Sequence, residues 1–163
     1  MQLNLKTNFI YIGAILLVIG LALLIINPIS LMQDDQRQLR LLPNDKELVL
    51  LGKDVYAQQC AACHGANLEG QANWRQRDNK GYMPAPPHDA NGHTWHHPDE
   101  YLFSVTKYGI EETLGREYPN NMPAYETHLT DKQIVAVLSY IKSTWSERIQ
   151  NQHDQINIRA NNQ

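Results

Sequence analysis

Hydrophobic and polar positions divide the chain into an apolar N-terminal stretch, a polar connection and a longer region with helical periodicity. Residues 9–26, FIYIGAILLVIGLALLII, are 18 consecutive residues without a charged or strongly polar side chain. As a helix this stretch is roughly 27 Å long, just enough to cross the hydrocarbon core of a bilayer. The pattern predicts a single N-terminal transmembrane helix, preceded by a short arm at residues 1–8.

A cleaved signal peptide is the alternative interpretation of residues 9–26. Its apolar region is shorter, roughly 7 to 15 residues, and a small-x-small cleavage site follows it. The sequence after Ile26 is NPISLM, which contains no such site. We therefore expect an uncleaved anchor. Residues 27–44, which contain Pro28, Pro43 and the charged stretch DDQRQLR, are expected to form a tether.

Residues 45–145 have the periodicity of a helical domain. Asp45 is the expected N-cap of a first helix, which continues to Cys60 with apolar side chains at helical spacing. A second and shorter helix is predicted from Pro98 to Gly109, because proline favours the first turn of a helix and glycine favours its end.

A third helix begins where Thr130 and Gln133 form a capping-box pattern. Its apolar stripe consists of Ile134, Val137, Leu138, Ile141 and Trp145. Residues 65–97 are rich in Gly, Asn, Pro, Asp and His, which predicts an irregular loop. Residues 146–163 are polar and rich in Asn and Gln, and we expect a frayed helix that gives way to disorder. The fold class predicted for residues 45–145 is all-α.

Charge and cysteine content narrow the function. The net charge is -3, from 14 Lys and Arg against 17 Asp and Glu. This balance offers no basic stripe for nucleic acid, so the expected partners are proteins. The two cysteines, Cys60 and Cys63, are too close together to cross-link a disulfide-rich domain. Their spacing indicates a functional site instead.

The segment Cys60-Ala61-Ala62-Cys63-His64 is the attachment pattern of haem c. Two thiols three positions apart can reach the two vinyl groups of one porphyrin, and His64 is then placed to coordinate the iron as the proximal ligand. Attachment of this kind takes place outside the cytoplasm. We therefore expect the domain to face the periplasm, with the anchor in a bacterial inner membrane.

Three other interpretations of the cysteines remain open. A thioredoxin-like redox dithiol also uses Cys-x-x-Cys, but it needs βαβ patterning, which the sequence lacks. Two buried and inert cysteines are disfavoured by the adjacent His64. A zinc site would need one more ligand beside Cys60, Cys63 and His64. The histidines considered for that position are His88, His93, His96, His97 and His128.

Two methionines are candidates for the sixth ligand of the iron. Met83 and Met122 occur in the similar stretches YMPA and NMPA. Met122 lies about 60 residues after His64, which gives the chain enough length to pass around the ring and reach its opposite face. Met83 follows after only 19 residues, so it is the alternative. A loop methionine also commonly serves packing, and the histidines of residues 88–97 are a further source of a ligand.

These features resemble the class I cytochrome c family over about residues 45–145. The matching pieces are Gly52-x-x-x-Tyr56 before CAACHG, the NMPA loop and LTDKQIVAVLSYIK. The chain is similar in particular to single-haem, membrane-anchored bacterial proteins of respiratory chains. The resemblance implies a cytochrome c fold of three to four helices around one covalently bound haem. It also implies a crossing of Gly52 and Tyr56 with Tyr140, and ligation of the iron by His64 and Met122.

The function implied by the resemblance is electron transfer without catalysis by the chain itself. Its expected partners are a quinol-oxidising complex or a dehydrogenase on one side and a terminal oxidase on the other. One alternative is a permanently bound haem subunit of a larger membrane oxidoreductase complex. Another is a haem-based sensor or ligand binder, which would need a vacant or displaceable sixth position.

Overall fold

The structure is a computed structural model that describes residues 39–162. The predicted arm at 1–8, the predicted transmembrane helix at 9–26 and residues 27–38 of the predicted tether lie outside the described residues. Between residues 39 and 162, no helix combines the length and the apolar character needed to cross a membrane.

Helices make up the regular structure of this part of the chain, and loops join them. They are α1 (Lys46–Gln59), α2 (Ala61–His64), α3 (Asp99–Tyr108), α4 (Ile110–Leu114), α5 (Asp131–Ser143) and α6 (Glu147–Asn161). A single 3₁₀ turn covers Thr94–His96, and an isolated bridge pairs Met83 with Asn120. The all-α prediction is confirmed for the residues described.

The predicted starts of α1 and α5 are confirmed by their capping contacts. The carboxylate of Asp45 accepts a 3.0 Å hydrogen bond from the backbone N–H of Leu48. Thr130 and Gln133 form the reciprocal capping box at the start of α5. Each cap satisfies backbone donors that have no partner within the helix, and such a cap typically stabilises a protein by about 1 kcal/mol.

Helices α1 and α5 cross with their backbones in close contact at Gly52. A Cβ atom at Gly52 would lie 2.0 Å from the carbonyl oxygen of Ala136 and 2.9 Å from Cβ of Tyr140. Beside this point the ring centroids of Tyr56 and Tyr140 are 5.6 Å apart. The predicted crossing is confirmed, and it fixes the end of α1, where the cysteines follow, against the core.

Helix α3 agrees with the predicted middle helix, since it begins directly after Pro98 and ends before Gly109. Gly109 has a φ of 91°, a conformation that glycine adopts at little cost, and the chain turns there straight into α4. The sequence does not predict α4, because its five residues IEETL are too few to show a period.

Residues 147–161 form the well-defined helix α6, whereas the sequence predicts a tail that gives way to disorder. Polar contacts hold this helix on the rest of the domain. The buried His153 donates from Nε2 to the carbonyl oxygen of His97 at 2.9 Å. The Oδ1 atom of Asn157 accepts a 2.7 Å hydrogen bond from the backbone N–H of Asp99. Hydrophobic periodicity misses α6 because much of its attachment is polar.

The residues directly before α1 pack on the domain, whereas the sequence predicts that 27–44 are a tether. Leu41 is 1% exposed, and its backbone N–H donates to Oδ2 of Asp99 at 2.9 Å. The backbone N–H of Leu42 donates to Oγ of Ser139 at 3.0 Å. The tether interpretation therefore does not hold for this last part of the range.

Candidate haem-binding site

The two cysteines lie where α1 meets α2. Cys60 separates the two helices, and α2 carries Cys63 and His64. The backbone N–H of His64 donates to the carbonyl oxygen of Cys60 at 2.9 Å, so the motif forms one tight helical turn. Cys63 is exposed, and Cys60 is partly buried against the core. The fold thus holds two thiols and an imidazole within a single turn.

An apolar cavity of about 420 Å³ lies beside this turn. Cys63 and His64 contribute to its wall, and most of the remaining lining comes from α3, α4 and the loops that carry the two candidate methionines. The apolar side chains in the lining include Met83, Leu102, Val105, Ile110, Leu114, Met122 and Leu138. Such a lining suits a large, mainly apolar group such as a porphyrin.

The backbone holds the imidazole of His64 in one tautomer. Its Nδ1 lies 2.8 Å from the carbonyl oxygen of Pro86. A carbonyl oxygen can only accept, so Nδ1 carries the proton and Nε2 keeps its lone pair. Burial lowers the pKa of His64 below its usual value, although the hydrogen bond to Pro86 acts in the opposite direction. His64 is therefore a neutral imidazole with a free Nε2, the form that binds a metal ion.

A second imidazole, that of His88, stacks on His64. The ring centroids are 4.0 Å apart, and the planes differ by 22°. Burial, and then the nearby His64 and His93, lower the pKa of His88 well below its usual value, so the stack joins two neutral rings. Because the rings lie face to face, His88 stands beside His64 and not opposite its Nε2 atom.

Both candidate methionines line the cavity, and their loops are joined to each other. Met83 pairs with Asn120 in the isolated bridge. The side chain of Asn120 then accepts a 2.9 Å hydrogen bond from the backbone N–H of Met122. The structure thus brings both methionines to the same cavity as His64. The choice of Met122 over Met83 stays a prediction, which rests on chain length and on the family resemblance.

Polar and aromatic side chains occupy another part of the cavity wall. His93 and His97 both line the cavity, and Nδ1 of His93 lies 3.2 Å from Nε2 of His97. Trp74 lines it as well, with the guanidinium of Arg75 4.2 Å above its ring. Imidazole, indole and guanidinium groups donate hydrogen bonds, which the carboxylates of a haem accept.

The structure gives no support to a redox dithiol or a zinc site at the cysteines. Burial, and next the adjacent Cys63, raise the pKa of Cys60 to about 11, whereas reactive redox dithiols have a lowered pKa. Within the described range, no three or more His, Cys, Asp or Glu side chains are arranged to hold a metal ion. Two of the histidines considered for zinc, His96 and His128, are exposed and do not line the cavity.

Sequence reasoning misses two direct partners of the His64 ring. These are the carbonyl oxygen of Pro86 and the ring of His88, about 22 and 24 residues further along the chain. The consecutive prolines Pro86 and Pro87 are a signal of a rigid backbone at this point. They do not indicate which ring that backbone will meet.

Comparison with protein-family models supplies independent support for this site. Residues 49–145 match the family described as Cytochrome c. Searches of curated proteins and of solved structures gave no significant match. The matched range covers more than half of the chain and includes the cysteines, His64 and both methionines. The chain therefore belongs to the cytochrome c family, whose members bind haem c covalently, and its Cys60-Ala61-Ala62-Cys63-His64 segment fits the attachment motif of that family.

Proposed function

We propose that this protein is a single-haem electron carrier, anchored in a bacterial inner membrane with its haem domain in the periplasm. The observation that carries the proposal is the unprotonated Nε2 of His64, held beside the side chains of Cys60 and Cys63 at the wall of an apolar cavity. A covalently bound haem supplies a one-electron Fe(III)/Fe(II) couple.

Four residues of this chain would hold such a group, each in a different way. Cys60 and Cys63 would retain it through two thioether bonds at the end of α1. His64 would coordinate the iron through Nε2, in an orientation that its Nδ1 bond fixes. Met122 would provide a thioether from the loop before α5. A thioether opposite an imidazole raises the reduction potential, and the apolar lining, which limits solvent access, acts in the same direction.

The membrane part of the proposal rests on the sequence. Residues 9–26 have the length and composition of a transmembrane helix, and haem c attachment outside the cytoplasm requires export. Residues 39–44 belong to the folded unit, so the proposed tether is confined to residues 27–38. Such a carrier would serve partners in the same membrane, namely a quinol-oxidising complex or a dehydrogenase as donor and a terminal oxidase as acceptor.

Haem content and membrane attachment are tested together on the full chain, produced in a bacterial host that attaches haem c during export. The pyridine haemochrome spectrum should give one haem c per chain, with reversible reduction. The double variant C60A/C63A should lose the covalent haem.

Carbonate washing should leave the full chain in the membrane fraction. A matched variant with residues 1–26 replaced by a cleavable signal peptide should be released. A bare polypeptide with free thiols would overturn the proposal.

Carbon monoxide binding separates the carrier from a sensor or ligand binder. A carrier with a firm sixth ligand should bind little carbon monoxide when reduced at neutral pH. Rapid and complete binding would favour the sensor. Co-purification of a stoichiometric partner in mild detergent would instead favour a permanent subunit of a larger complex.

A further inference from the structure

Two contacts of the His64 ring come from the same short segment. Its Nδ1 donates to the carbonyl oxygen of Pro86 at 2.8 Å, and its face stacks on the ring of His88 at 4.0 Å. The hydrogen bond holds the Nδ1 edge of the ring, and the stack with His88 supports its face. The two contacts together fix the plane of the imidazole.

His88 is itself held at three points, each by a different part of the chain. Its backbone N–H donates to the carbonyl oxygen of Leu68 at 2.8 Å. Its own carbonyl oxygen accepts a 2.8 Å hydrogen bond from Nε1 of Trp145. In the side chain, Nδ1 lies 2.8 Å from Oγ1 of Thr94. The ring edge also meets the ring of Tyr56, with centroids 6.2 Å apart.

The backbone around His88 has little room to move. Pro86 and Pro87 restrict its dihedral angles. The loop that brings Thr94 back to His88 packs tightly on this segment, since a Cβ atom at Gly92 would lie only 1.9 Å from the carbonyl oxygen of Pro87. The ring of His88 is therefore held rigidly, and an aromatic ring stacked on it has one preferred plane.

We propose that His88 is a positioning residue for the haem ligand His64, and that it tunes the reduction potential by fixing the plane of the axial imidazole. This inference rests on the proposed electron-carrier function. The hydrogen bonding and orientation of an axial ligand are known levers on the electronic state of an iron site. A stacked ring sets the orientation by its flat face, whereas an aliphatic side chain of similar size would fill the space without selecting a plane.

Variants at two positions separate stacking from simple packing. His88→Leu fills the space with an apolar side chain but removes the ring. His88→Phe keeps the ring but removes the hydrogen bond to Thr94. Thr94→Val leaves His88 in place and removes the anchor of its ring. His128→Leu is the matched control, because His128 is exposed and lies away from the cavity.

Two measurements on the haem-loaded proteins test the proposal. They are the reduction potential and the electron paramagnetic resonance spectrum of the oxidised iron, which reports the orientation of the axial ligand. We expect His88→Leu to change the ratio of oxidised to reduced protein at a fixed potential at least threefold, roughly 30 mV for a one-electron couple. His88→Phe keeps a flat ring but loses the same hydrogen bond as Thr94→Val, so its shift should be smaller than that of His88→Leu. Thr94→Val should show a smaller shift in the direction of His88→Leu.

Each other outcome counts against the positioning role. Equal reduction potentials and equal spectra in His88→Leu and His128→Leu would overturn it. A shift of the reduction potential in His88→Phe as large as that in His88→Leu would also overturn it. If His88→Leu does not retain haem, Thr94→Val decides: an unchanged potential and spectrum there would overturn the proposal. The haemochrome spectrum of the unmodified protein is recorded first. Absence of haem c in it would count against the electron-carrier function instead of this inference.

Discussion

The phenolic hydroxyl of Tyr125 donates a 2.8 Å hydrogen bond to the backbone carbonyl oxygen of Gln59. Tyr125 follows Met122 by three residues, and Gln59 directly precedes Cys60. The bond therefore ties the loop that carries Met122, the predicted sixth ligand, to the start of the haem attachment turn, Cys60–His64. The backbone N–H of Tyr125 also donates to the carbonyl oxygen of Thr106 in α3 at 3.1 Å, so the loop is held on two sides.

Replacing Tyr125 with Phe should loosen the loop that carries Met122. The ring is kept, but the carbonyl oxygen of Gln59 loses its donor. A hydrogen bond of this kind typically contributes about 1 kcal/mol, so we expect a loss of that size in the free energy of unfolding. The reduced variant should also bind more carbon monoxide. Denaturant titration and difference spectra measure the two effects, and Tyr108→Phe, at an exposed tyrosine, is the control. Unchanged stability and unchanged ligand binding would contradict the expectation.

The sixth ligand is assigned by a pair of alanine variants. Met122→Ala should lower the reduction potential and abolish the sulfur-to-iron absorption near the red end of the visible spectrum, because a thioether ligand favours reduced iron. Met83→Ala removes a methionine from the same cavity wall and should keep the absorption. The reverse result would move the assignment to Met83. Retention of the absorption in both single variants would contradict a fixed Met122 ligand.

Gly52 has no room for a side chain. In Gly52→Ala the new methyl group would have to push the backbone of Ala136 away, since the unrelaxed distance to its carbonyl oxygen is 2.0 Å. Overpacking of this kind typically costs about 1–3 kcal/mol. We expect a reduced urea midpoint for the haem-loaded variant. Gln58→Ala, at an exposed position of the same helix, should stay within about 0.5 kcal/mol. Equal midpoints for the two variants would contradict the close crossing of α1 and α5.

The parts of the fold that sequence predicts are those that local patterns encode. Helix α5 has both a capping box and an apolar stripe, and its predicted stripe residues Ile134, Val137, Leu138 and Ile141 are all buried. The haem attachment turn is a contiguous motif. Its spacing alone places two thiols and an imidazole together, so the sequence is enough to predict the chemistry of Cys60, Cys63 and His64.

The parts that sequence does not predict depend on contacts between distant polar groups. Helix α6 docks through Asn157 and His153, neither of which adds to a hydrophobic stripe. The segment before α1 is held by a buried Leu41 and a backbone bond to Asp99. The stacking of His88 on His64 depends on the path of an irregular loop, and no periodic pattern encodes such a path.

His153 should make the stability of the protein depend on pH. The side chain is fully buried, with Nε2 bonded to the carbonyl oxygen of His97. Its Nδ1 has no hydrogen-bond partner among the residues that the structure describes. Burial, and next the charge of Lys142, lower the pKa of His153, while Asp99 and Asp154 act in the opposite direction. The folded protein therefore favours the neutral ring.

The sign of the effect follows from proton binding. An unfolded histidine titrates near pH 6.5, and the folded pKa of His153 lies lower. Between these two values the unfolded chain binds a proton that the folded protein does not. The free energy of unfolding should therefore be constant above this window and fall as the pH decreases through it.

His153→Gln keeps a donor for the carbonyl of His97 but cannot titrate, so its stability should fall less steeply. Denaturant titrations of the haem-loaded proteins over this range provide the measurement, with His128→Gln as the exposed control. The same pH slope in His153→Gln as in the unmodified protein would show that the buried imidazole is not its source.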